Sequence, residues 1–90
     1  MRAAYAEAQT AALTQETSGK AVYTKGTGSS GDSVTVSGVI IKTEKANSWS
    51  DQAGDLPFDA PTDPGESKTM TMTFTYDANG ALETDSVTLN

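Results

Sequence analysis

Five carboxylates crowd one stretch of this 90-residue chain: Asp51, Asp55, Asp59, Asp63 and Glu66. A pair of such acids is what glycoside hydrolysis requires, one as general acid and one as base or nucleophile. Spacing by four would stack them on one helix face. Pro57, Pro61 and Pro64 forbid that helix, so the acids read as solvated loop charges. A second oxygen-rich group, Asp77, Asn79, Glu83 and Asp85, offers the hard donors that calcium takes. Its flanks are strand-like and its spacing departs from a calcium loop, whereas a hairpin turn with Asn79-Gly80 at positive φ explains the same residues. The chain has no histidine and no cysteine. Nucleophile–imidazole pairs, thiolate metal sites and imidazole zinc sites are therefore excluded. The expectation is a protein that is not an enzyme and holds no metal or cofactor.

Three further residues are candidates for contact with a ligand or partner. Trp49 sits among Asn47, Ser48, Ser50 and Asp51, a setting in which an indole could stack on carbohydrate. Its size favours the other reading, a plug that anchors its loop to a small core. Tyr5 either packs on the sheet or faces a neighbouring subunit beside Leu13 and Ala6. The glycine-rich loop Gly26–Gly31 is no phosphate cradle, because it lacks the Gly-Lys-Ser/Thr ending and leads into a strand.

Charge narrows the partners. Twelve acids against six bases leave a net charge of −6. Nucleic acid and anionic membrane surfaces both call for a basic patch, so neither fits. No run approaches the roughly 18 apolar residues of a spanning helix. Ninety residues suffice for one small domain with one core.

The elements that must position these residues follow from periodicity. Arg2 to about Glu16 or Thr17 is rich in Ala, Glu, Gln and Leu, with no Gly or Pro before Gly19. At about 100° per residue, Met1, Ala4, Tyr5, Ala8, Ala11 and Ala12 share one arc, a stripe of mostly small side chains suited to close packing on a sheet. Gly19 is the expected helix terminator. Strands are expected at 20–25, at 33–44 with a bulge or bend at Gly38, at 68–76 and at 81–89. The clearest is 68–76, where Met70, Met72, Phe74 and Tyr76 face one way and Thr69, Thr71, Thr73 and Thr75 the other. The irregular 46–66 segment is expected to be tacked down by Trp49, Leu56 and Phe58. The core is expected from these apolar residues together with Val22, Tyr23, Val34, Val36, Val39, Ile40, Ile41, Leu82, Val87 and Leu89. The resulting fold class is α+β, an N-terminal helix across a three- to four-stranded antiparallel sheet, with the alanines set against Met70, Met72 and Phe74.

The helix opens without a cap. No Ser, Thr, Asp or Asn precedes its first turn, and Arg2 lies against the positive end of the dipole. The expectation is a chain that begins partway along a longer helix. Arg2-Ala3-Ala4-Tyr5-Ala6-Glu7-Ala8, followed by an Ala-rich turn or two and a Thr/Gly-rich β-region, resembles the head domain of a type IV pilin or pseudopilin. The family's cleavage site with its glutamate-bearing apolar stretch is absent here, as are the paired cysteines of many pilins. The resemblance implies a pilin-like roll over residues 1–90 and a structural role in a bacterial cell-surface pilus or pseudopilus fibre. It also implies an upstream membrane-anchoring segment, Met1 being an introduced start. Partners would be copies of itself or other pilin subunits, met through the N-terminal helix. The membrane would be met only through the missing segment, before assembly. The alternative is a small secreted carbohydrate- or protein-binding module that works through the Trp49 loop.

Overall fold

The alternation from Met70 to Tyr76 becomes the spine of a four-stranded antiparallel sheet. The structure is a computed structural model, and it describes residues 1–27, 31–42, 49, 53–54 and 56–90. Its elements are helix α1 (Arg2–Thr14) and strands β1 (Ala21–Thr24), β2 (Ser33–Ile41), β3 (Lys68–Thr75) and β4 (Thr88–Leu89). The strands lie side by side in chain order, each antiparallel to the next. One face of the sheet carries α1, giving the α+β arrangement read from the sequence. The other carries the β3 threonines and their neighbours on β2.

The bulge at Gly38 decides which residues of β2 enter the core. Val34 and Val36 pair with Phe74 and Met72, and pairing then resumes one residue late, at Val39 opposite Met70. Gly38 has φ +69°, a conformation that favours glycine. The extra residue shifts the inward set from even to odd numbers. Val39 and Ile41 are buried, while Ile40, expected in the core, is turned outward at 62 % exposure.

Helix α1 buries Met1, Ala4, Ala8 and Ala11. Small side chains let the helix backbone approach the sheet closely. It lies mainly over β1 and β2, with a smaller contact to β3. The expected placement of the alanines over the Met and Phe residues of β3 is thus only partly realised. Phe58, from the segment that precedes β3, supplies the cover there. Tyr5, Phe58 and Phe74 form an aromatic cluster, with ring centroids 5.8 Å apart for Tyr5–Phe58 and 5.5 Å for the edge-on Phe58–Phe74 pair. Such pairs add about 0.5–1.5 kcal/mol beyond their burial. Leu56 and Trp49 are half-buried and pack against this core.

Three boundaries differ from the sequence reading. The helix stops at Thr14, because Gln15 adopts the left-handed conformation (φ 53°, ψ 46°) and Glu16 N–H donates to Ala11 O at 3.0 Å. That six-to-one bond is a helix terminator usually built around glycine, so Gly19 is not needed for it. At the 77–80 turn only Gly80 has positive φ, not Asn79. Asp77 Oδ1 accepts the N–H groups of Asn79 and Ala81 at 2.8 and 3.0 Å and closes the turn instead. Finally, the expected 81–89 strand is broken. Leu82 makes one isolated bridge to Tyr76, a turn follows in which Ser86 N–H donates to Glu83 O, and pairing returns only at Thr88. The break has a cause: Thr84 O accepts Asp59 N–H at 2.8 Å, which ties the return leg to the segment carrying Phe58.

Two substitutions probe these features. Ala8→Leu should overpack the helix–sheet contact and destabilise the fold by about 1–3 kcal/mol in urea melts. Ala6→Leu, on the exposed face, should change stability by less than about 0.5 kcal/mol. Gln15→Gly should stabilise by about 1 kcal/mol, because glycine carries no Cβ penalty in the left-handed region.

Candidate functional site

The exposed side of α1 is uncharged over most of its length. Ala6, Gln9, Thr10, Leu13 and Thr14 face solvent, and Leu13 is 86 % exposed. Thr10 and Thr14 hydroxyls donate back to Ala6 O and Thr10 O at 3.2 and 2.9 Å, which occupies them within the helix. Between this face and β1 runs an open groove of about 570 Å³, bordered by Glu7, Thr10, Thr14, Glu16, Lys20 and Ala21. Lys20 Nζ lies 3.8 Å from Glu7 Oε1, a half-exposed pair that contributes little to stability.

The three candidate contact residues are not brought together. Tyr5 points inward, its ring beside Phe58 and Phe74 and its hydroxyl accepting from Gln9 Nε2 at 2.6 Å. Trp49 is half-buried against the core, and its Nε1 is buried without a hydrogen-bond partner. Leu13 alone stands fully outward. Of Trp49's polar neighbours, Asn47, Ser48, Ser50 and Asp51 lie outside the described residues.

The loop acids are dispersed. Asp51 and Asp55 lie outside the described residues, and Asp59, Asp63 and Glu66 are exposed. Asp63 Oδ1 accepts Gly65 N–H at 2.9 Å, and Glu66 pairs with Lys68 at 3.3 Å. Among the described residues, no group of three carboxylates is placed to hold a metal ion. None of their helices is long and apolar enough to cross a membrane.

Sequence reasoning missed a polar knot at the neck of the β1–β2 hairpin. Tyr23 OH donates to Asp32 Oδ2 at 2.5 Å, and Gly26 N–H donates to Asp32 Oδ1 at 2.8 Å. Next to it Asp32 O accepts Tyr76 N–H at 2.8 Å, which fastens the neck to the end of β3. Gly31 is required here by proximity, since a Cβ would fall 1.7 Å from Tyr76 O. The one signal in the sequence was an acid at the exit of a glycine-rich loop, facing a tyrosine on the preceding strand. The Tyr23 hydrogen bond, aided by Gly26 N–H, holds the Asp32 carboxyl below its ordinary range. The same bond to Asp32 pushes the Tyr23 phenol above its ordinary range.

No family model, no curated protein and no solved structure matches this chain. Its functional reading therefore rests on its own residues.

The knot gives stability a pH signature at both ends. Asp32, depressed in the folded state, contributes stability that is present above its unfolded value near pH 4 and is lost as pH falls through the folded value. Tyr23, raised in the folded state, contributes stability that is present below about pH 10 and is lost as pH rises through its folded value. Melting temperature followed from pH 2 to 11 should fall on both sides. Tyr23→Phe should abolish the Tyr23 part of the alkaline fall and shrink the acid fall.

Proposed function

We propose that this chain is the head domain of a structural subunit in a cell-surface fibre, of the pilin or pseudopilin kind that its N-terminal segment resembles. What carries the reading is the division of α1 into two faces. Met1, Ala4, Ala8 and Ala11 are buried on the sheet, while the opposite side, with Leu13, is left for contact with other molecules. A helix used in this way is a scaffold element at its inner face and a packing element at its outer one. Copies of the same chain, or other pilin subunits, are the partners this arrangement suits. The net charge of −6 and the absence of histidine and cysteine support a structural role over a catalytic or nucleic-acid-binding one. Function here comes from the helix surface and the resemblance, since an α+β roll by itself specifies none.

The reading requires an apolar helical segment of about 20 residues encoded upstream, to anchor the subunit in the membrane before assembly. The test is the fate of the full-length native gene product. Fractionation should place it in the membrane and at the cell surface, and N-terminal sequencing should find a processed start. A cytoplasmic product with an unprocessed N-terminus would overturn the reading.

A further inference from the structure

A second feature of α1 lies on its other flank, towards the hairpin end of the sheet. There a cleft of about 370 Å³ opens between the C-terminal half of the helix and the neck of the β1–β2 hairpin. Its lining is Gln9, Ala12 and Leu13 from α1, Asp32 from the neck, Tyr76 from the end of β3 and Gly80 from the turn. We propose that this cleft takes a lysine side chain presented by another polypeptide.

The chemistry of the lining matches that side chain at both ends. A lysine is an ammonium head on an apolar stem, and it binds where an anion and an apolar wall stand side by side. Asp32 supplies the anion. Its carboxylate is held in place by Tyr23 OH and Gly26 N–H, so no ordering is required on binding, and each oxygen keeps acceptor capacity. Among the described residues Asp32 makes no ion pair; Lys25, the cation whose field it feels, is exposed and not within bridging distance. Ala12 and Leu13 supply the wall for the stem. Leu13 is the most exposed large apolar side chain among the described residues, and its place on the cleft is what makes that exposure useful.

Tyr76 adds an independent mark. The residue is 6 % exposed, and its hydroxyl is buried without a hydrogen-bond partner. A buried hydroxyl left unpaired is unfavourable, and such groups call for an explanation. A phenol at the wall of a cleft that also holds a carboxylate is suited to a cation, through its oxygen or the face of its ring. A polypeptide fits better than a free amine, because Leu13 projects beyond the cleft and would be covered only by a ligand with substance around the lysine. The inference stands apart from the fibre reading and survives its failure, since it concerns only the isolated domain and a lysine-bearing chain.

The probe is the capped peptide acetyl-Gly-Lys-Leu-amide, titrated into the ¹⁵N-labelled domain and followed by amide shifts. Saturable shifts should appear at Gln9, Leu13, Asp32 and Gly80. The same peptide with norleucine for lysine should bind far more weakly. Leu13→Lys leaves the fold intact, because the side chain is exposed, and should weaken binding about two- to fivefold, whereas Leu13→Glu should strengthen it. Tyr76→Phe should weaken it as well. Equal shifts with the norleucine peptide, or no response to Leu13→Lys, would overturn the proposal. Butylammonium binding as tightly as the peptide would overturn the polypeptide as occupant. A Tyr76→Phe variant that gains thermal stability but binds unchanged would remove Tyr76 from the site.

Discussion

The close approach of α1 to the sheet is the constraint on which the rest of this structure depends. Three alanines and Met1 form the helix side of the contact, and Val34, Val36, Met72 and Phe74 lie fully buried beneath or beside it. Large residues on the sheet against small ones on the helix fill the space without forcing side chains off their rotamers. In a domain of 90 residues there is no second core to compensate for a loss here. Tyr5, on the same helix, extends the contact sideways into the cluster with Phe58 and Phe74, so the irregular segment before β3 is held by the same packing.

Two local devices adapt the chain to that contact. The bulge at Gly38 inverts the facing of β2 partway along, which puts Val39 and Ile41 under cover and Ile40 outside. A strand without the bulge would place Ile40 inward and leave both neighbours to solvent, since facing alternates strictly. The left-handed Gln15 ends the helix and turns the chain back so that Glu16 O can accept Tyr23 N–H at 2.6 Å. That bond occupies part of the free edge of β1, one of the two edges at which an open sheet is vulnerable to unwanted pairing.

The polar knot at the hairpin neck joins the two ends of the fold. Asp32 binds Tyr23 of β1 through its side chain and Tyr76 at the end of β3 through its backbone. The close passage of Gly31 over Tyr76 makes this junction tight. The neck thereby sets the position of Asp32 relative to the C-terminal half of α1, and so forms the cleft in which carboxylate, phenol and Leu13 meet.

Much of this is legible in the residues themselves. The amphipathic spacing of Ala4, Ala8 and Ala11, the strict alternation from Met70 to Tyr76 and the lone Gly38 inside an apolar strand each carry a local physical signal. Each persists in the fold, because periodicity determines which face is apolar whatever it packs against. The lack of histidine and cysteine likewise bounds the chemistry through composition alone. What only the tertiary structure decided was non-local. The break in the last strand depends on Asp59 reaching Thr84, and the inward turn of Tyr5 depends on Phe58 arriving from a distant segment. The cleft depends on residues 9–13, 32 and 76–80 converging. A sequence pattern states what each segment prefers, but such meetings are set by how the packed helix and the bulged sheet bring distant segments together.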